Sequence, residues 1–238
     1  MKKIIIVYFV LFTSHIYSQK NNIFVEYSVK IHDEETLVNS DPFFREMFVE
    51  AMENSSNLSF GLIITNYGSK FYDITKLSTS ENNMSKIKPM LGTGYSGEVY
   101  QYLSNIYSKS ISLGTDQLLK KPLKNNWQLH DENIMIDSYL CYKATNVNIV
   151  DNGSGKIFRH PVIAWYCPAL PYNYGPNGYS NLPGLILQLQ VRNVVFGVKK
   201  IDLNSDEDFD HTFLDKVKTI SLEELYKRID KEMQSYNE

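Results

Sequence analysis

The chain has 238 residues, 13% of them aromatic with 17 tyrosines, and a formal net charge of −3. Nothing in it forms a stripe of Lys or Arg, which excludes a nucleic-acid partner, because phosphates demand a concentrated basic surface. Length and aromatic content fit one β-rich domain with a real core.

Met1-Lys2-Lys3, the apolar run Ile4 to Phe12, polar Thr13-Ser14-His15 and the small Ser18 follow the order of a signal peptide, residues 1–18. That run is far short of the roughly 20 apolar residues that cross a bilayer core. No later run approaches it, and no cysteine near Ser18 offers a site for lipid. The expectation is export, with a soluble chain of residues 19–238 acting in the periplasm or at the cell surface and no membrane span after cleavage. Loss of Lys2 and Lys3 lowers the 24 basic residues to 22 against 27 acids.

Next, Ile23, Val25, Tyr27, Val29 and Ile31 alternate with polar residues, the period of a half-buried strand. Residues 40–55 change period: Phe44, Met47, Phe48 and Ala51 fall three and four apart, behind Asp41 as N-cap and Pro42 at the first helical position. This predicts a helix packed on the sheet. Leu58, Phe60, Leu62 and Ile64 alternate, Asn66-Tyr67-Gly68 turns, and Lys70 to Leu77 returns as the second arm of a hairpin. From Ser78 to Gly97 periodicity is lost, which reads as a long surface loop. Strands are expected at Glu98 to Leu103 and Ile106 to Leu113, and Gln117 to Asn126 reads as a polar connector. At the far end, Ser221 and Glu224 make a capping box, with Ile220 placed to staple onto Leu225, so a terminal helix starts at Ser221.

Between these lie two strand-like runs, Tyr139 to Val150 and Lys156 to Leu170, joined by Asp151-Asn152-Gly153-Ser154-Gly155. A hairpin centred on Ser154 sets Cys141 opposite Cys167. Directly opposed Cβ atoms lie roughly 4.5–5.5 Å apart, near the geometry of a disulfide, and an exported chain permits oxidation. The pair is a disulfide candidate; two buried free thiols is the other reading. After it come Pro168, Pro171, Pro176 and Pro183 with Gly175, Gly178 and Gly184, which fix a shaped loop. Tyr172, Tyr174 and Tyr179 on that loop are either rigid contact anchors for a partner or packing groups that hold the loop to the sheet.

Residues 136–145 (IDSYLCYKAT), Ala164-Trp165-Tyr166, Gly175-Pro176 and Asn181-Leu182-Pro183-Gly184-Leu185-Ile186 resemble the GLPGLI family of exported proteins from Bacteroidota. Asn181 replaces the namesake's first glycine and also tolerates left-handed backbone. Cys167 stands where the family often has threonine, so the cysteine pairing owes nothing to the resemblance. The resemblance implies an exported protein whose gene often neighbours those of TonB-dependent outer-membrane receptors. It implies no biochemical activity.

Little else points to chemistry. Gly92-Thr93-Gly94-Tyr95-Ser96-Gly97 has the letters of a dinucleotide fingerprint but not its strand-turn-helix setting. His32, His130, His160 and His211 are scattered, and the acidic run Asp202 to Asp210 lacks the spacing of a calcium loop. The expectation is no catalytic residues, no metal and no cofactor. A mainly β fold is expected, a single largely antiparallel twisted sheet of roughly eight to ten strands, half-barrel or sandwich-like, with a helix in the N-terminal half and another at the C-terminus. An outer-membrane transport protein or an apolar ligand is the expected partner, and a hydrolase the least favoured alternative.

Overall fold

The computed structural model describes residues 22–34, 42–76, 83–109, 117–123, 126–151 and 157–235. The segment read as a signal peptide, the helix N-cap Asp41, the predicted strand end at residues 110–113 and the 152–156 turn lie outside them. The first half of the described chain runs β1 (Asn22–Ile31), α1 (Pro42–Asn54), β2 (Ser59–Ile64), β3 (Gly68–Asp73), α2 (Asn83–Gly92), β4 (Val99–Tyr102), β5 (Asn105–Ser108) and β6 (Gln117–Pro122). It continues β7 (Gln128–Ile136), β8 (Tyr139–Asp151), β9 (Ile157–Cys167), β10 (Leu185–Val191), β11 (Val194–Ser205), β12 (Lys218–Ile220) and α3 (Leu222–Ser235). All strands belong to one 12-stranded sheet, ordered β12-β6-β5-β4-β3-β2-β1-β11-β10-β9-β8-β7, and its end strands do not pair to close a barrel. Every pairing is antiparallel except β12 on β6.

Several expectations need correction. The supposed polar connector is strand β6, whose Leu118 and Leu119 are buried on opposite faces while Lys120 is exposed. The supposed loop from Ser78 to Gly97 contains helix α2, which carries Pro89 within it. Gly92 makes that helix fit: a Cβ there would stand 2.8 Å from Ile31 Cδ1 and 3.2 Å from Ala51 Cβ, so only a bare backbone comes this close to α1 and β1. Strand β7 and the β10–β11 hairpin, turned at Arg192 with φ 55°, were not anticipated.

One face of the sheet carries the main core. Ile23, Val25, Tyr27, Val29 and Ile31 all point into it, and Phe48, Ala51 and Met52 of α1 pack against it with Met90 of α2. Its centre is aromatic: Phe60 stacks on Phe71 at 5.3 Å and meets Tyr95 and Phe196 edge-on at 5.0 and 5.5 Å. On the opposite face, Tyr100, Tyr107 and Leu118 are covered by Phe209, Leu214 and Val217 from the segment after β11. The terminal helix is capped as expected. The Glu224 amide donates to Ser221 Oγ at 3.2 Å, the Ser221 amide donates to Glu224 Oε2 at 2.9 Å, and Ile220 and Leu225 are buried together.

Glu98, just before β4, ties three strands' surroundings together. It accepts from Lys70 at 2.7 Å, from Tyr100 Oη at 2.8 Å and from Lys109 at 3.1 Å. Burial raises its carboxyl, but these three donors outweigh burial and bring it from 4.5 down to about 2. A carboxylate depressed on folding contributes stability that is present above its unfolded value and is lost as pH falls from there through its folded value. We therefore expect acid titration of stability to decline between pH 4.5 and about 2, and Glu98→Gln to lower neutral-pH stability and flatten that decline. Urea melts at stepped pH measure both; an unchanged slope in the variant would remove Glu98 from the account.

Candidate functional site

The stretch from Pro168 to Gly184 leaves the end of β9 and returns at β10, its neighbour, but reaches far across the core face between them. Its backbone is tied down along its length. Asn181 N donates to Asn173 O at 2.9 Å, Leu185 N to Leu170 O at 2.9 Å, and Ile186 N to Tyr174 O at 3.0 Å. Tyr27, fully buried on β1, donates its hydroxyl to Ile186 O at 2.7 Å, and burial raises its pKa. The loop's special residues have local causes. Asn177 and Asn181 adopt φ of 51° and 65°, the left-handed region Asn tolerates, so both positions make their turns without glycine. At Gly175 a Cβ would fall 2.7 Å from Ile186 Cβ, which forces glycine by space alone. Leu182 and Leu185 are buried beneath, whereas Pro183 is exposed.

The tip of the loop is gripped from two sides. Gln101 on β4 donates Nε2 to Gly178 O at 2.9 Å and is itself oriented by Ser69 Oγ at 3.1 Å. Trp127, just before β7, donates Nε1 to Ser180 O at 2.8 Å, and its ring lies 6.2 Å from that of Tyr179. Strands β4 and β7 are far apart in the sheet order. The sheet therefore curls until its two halves face each other, and the loop tip fills the seam between them.

Beside that tip lies a cleft of about 280 Å3. Its walls come from both halves: Val99, Ile106, Ser108, Lys121 and Pro122 from β4 to β6, and Asn146, Val147 and Asn148 from β8, with Trp127 and residues Asn177 to Ser180 between. Asn146 is committed, donating to Asn126 Oδ1 at 3.3 Å and accepting from Val147 N at 2.7 Å. The side-chain carboxamides of Asn148 and Asn177 have no hydrogen-bond partner among the described residues, although both residues are only partly exposed. Lys121 is the one charged residue among those that line the cleft.

Of the three tyrosines singled out from sequence, all are half-buried and pack against the core. Burial raises the Tyr174 hydroxyl and pushes that of Tyr179 up to about 12. Only Tyr179 lines the cleft. Trp127, Asn146, Asn148 and Asn177 escaped sequence reasoning, because strand curvature, not spacing, brings them together.

Cys141 and Cys167 are free thiols, both fully buried. The β8–β9 register runs from Asp151 opposite Ile157 to Tyr142 opposite Tyr166, so one further step sets the two cysteines against each other, as the hairpin centred on Ser154 requires. Burial, then the neighbouring Cys167, pushes the Cys141 thiol up to about 12, and its Sγ lies 3.6 Å from Tyr139 O. The histidines stand apart: His130 Nε2 is 2.8 Å from Thr145 Oγ1, His160 stacks on Phe158, and His211 on Tyr67. Among the described residues no group of three or more His, Cys, Asp or Glu side chains converges as metal ligands would. The acidic run caps its own turns, with Asp210 accepting from Thr212 N and Oγ1 at 2.8 Å. Gly92 to Gly97 follows a helix and precedes a strand, the reverse of the dinucleotide-binding order. No described helix is long and apolar enough to cross a membrane.

A family model described as a protein of unknown function (Porph_ging) matches residues 159–188, which cover most of β9, the loop and the start of β10. No curated protein matches the chain. Two solved structures of PNGF-II are similar to it, one in space group P21 at 11% identity and a TM-score of 0.48, the other in C2 at 12% and 0.47. Each match covers 84% of this chain, which spans only 31% of the PNGF-II chain.

Proposed function

We propose that this chain is an exported binding module, and that its ligand sits in the cleft beside the loop tip. One contrast carries the reading. Within a single loop the backbone and the side chains of Tyr172 and Tyr174 are spent on internal packing, yet Asn177 is held in left-handed backbone at the rim of a cleft with its carboxamide unpartnered among the described residues, and the carboxamide of Asn148 on β8 is likewise unpartnered. Fixed polar groups around a concave site are what selective binding uses. The signal-like residues 1–18 and the GLPGLI resemblance support action in the periplasm or at the cell surface, as an accessory of a TonB-dependent outer-membrane system. The carrier of an apolar ligand is less well supported, since the core face is filled by helices and loop and the cleft is lined largely by amides and hydroxyls.

The test is native mass spectrometry of mature protein recovered from the exporting cell. Wild type should carry a non-covalent adduct that Asn148→Ala and Asn177→Gly both lose while melting unchanged; glycine suits the left-handed backbone at that position. A bare wild type, or an adduct that survives both substitutions, would overturn the reading.

A further inference from the structure

Resting on that reading, we infer that the cleft takes a neutral carbohydrate, one sugar ring of an oligosaccharide whose neighbouring ring continues along the β8–β9 hairpin. Two observations converge. First, the side chains at hand are neutral donor-acceptor groups, Asn148, Asn177 and Ser108, beside the aromatic Trp127. Amides and hydroxyls answer sugar hydroxyls with both donors and acceptors, and the electron-rich face of an indole attracts the C–H face of a pyranose. A single lysine gives no clamp for phosphate or carboxylate.

Second, the volume of about 280 Å3 stands at the lower end of small-molecule sites, roughly 300 Å3 upward, suited to one ring and not to an acyl chain.

The hairpin beyond supplies the next subsite. In register, Asn148 opposes His160 and Val150 opposes Phe158, and alternation puts these four on one face with Asn146. The rings of Phe158 and His160 stack in parallel at 6.2 Å, with Phe158 45% exposed. This is a second aromatic platform in line with the cleft.

Replacing Trp165 with phenylalanine leaves Trp127 as the sole tryptophan of the two. Its emission is then followed against maltotetraose, mannotetraose and chitotetraose, against tetra-alanine, and against phosphatidylethanolamine vesicles. We expect at least one tetrasaccharide to bind saturably, with affinity lowered about tenfold or more by Asn148→Ala and by Asn177→Gly, and by Phe158→Ala for the tetrasaccharide but not its monosaccharide. Peptide or vesicle binding weakened by the same variants, with no sugar bound, overturns the carbohydrate and keeps the cleft. Sugar binding untouched by Asn148→Ala and Asn177→Gly overturns the site. No response to any probe overturns the ligand class, while the adduct measurement decides the binding module by itself.

Discussion

Gly184→Ala should lower stability by about 3–4 kcal/mol, the top of the range for a strained backbone position with a backbone clash. Gly184 has φ +154°, and a Cβ there would lie 2.2 Å from the carbonyl oxygen of Cys167 and 2.5 Å from its carbon. Neither atom belongs to a flexible side chain. Cys167 pairs with Leu185 in the ladder, so the clash is relieved only by moving the start of β10 off β9, which also frees the amide that Leu185 donates to Leu170. A natural comparison is Gly94→Ala. Gly94 also has positive φ, +70°, but nothing lies within 4 Å of its would-be Cβ, so only the left-handed penalty of about 1–2 kcal/mol applies. Thermal denaturation of the two variants separates space from conformation. For a chain of this size the difference corresponds to a gap of several degrees in Tm, roughly 2–4 °C per kcal/mol. Equal losses would mean that the loop does not press on β9 as described.

The second large effect concerns the cysteines. We expect mature protein exported into an oxidising compartment, and alkylated only after denaturation, to weigh about 2 Da less than the reduced chain, the sign of a Cys141–Cys167 bridge. Cys141→Ser in that protein should then cost about 3–4 kcal/mol under the chain-entropy account of the loop it closes. Reduced protein should show a far smaller loss. Both cysteines are fully buried, and burial pushes the Cys141 thiol up to about 12, so the folded pair is shielded from oxidant and alkylating reagent alike. The bridge has to form before the hairpin is buried. Rapid alkylation of both thiols in the native state would contradict this, as would two alkyl groups on exported protein after denaturation.

The parts legible in the sequence share one property: their signal is local. The turn residues 151–155 and the alternation on either side give the β8–β9 register, and Ser221, Glu224, Ile220 and Leu225 give the cap and staple of α3 within a few residues. Strand β6 was hidden because its place is set by others: Leu118 and Leu119 are buried on opposite faces only once β5 and β12 flank them, with Lys120 left exposed. Helix α2 was hidden by Pro89 and by a weak apolar stripe that becomes meaningful only against α1. For the loop tyrosines, sequence offered anchor or packing with equal force. What the structure adds, that all three lie half-buried against the core, is tertiary. The cleft is illegible for the same reason: Trp127, Asn148 and Asn177 meet only through the curl of the sheet, and an asparagine on a strand gives no sign of the face it will share.

The strand order also governs when the molecule is able to fold. Strand β1, the first of the described chain, sits at the middle of the sheet with β2 on one flank and β11 on the other, and Ile31 pairs with Val194 while Asn22 pairs with Ser205. The two halves of the sheet are thus stitched through partners more than 160 residues apart, a topology that makes folding slow. As the chain emerges from the ribosome, β1 has one flank open until β11, at Val194–Ser205, has followed. A nascent chain held incomplete in this way cannot close its sheet until β11 has been made, so its central strand waits on residues from the last quarter of the sequence.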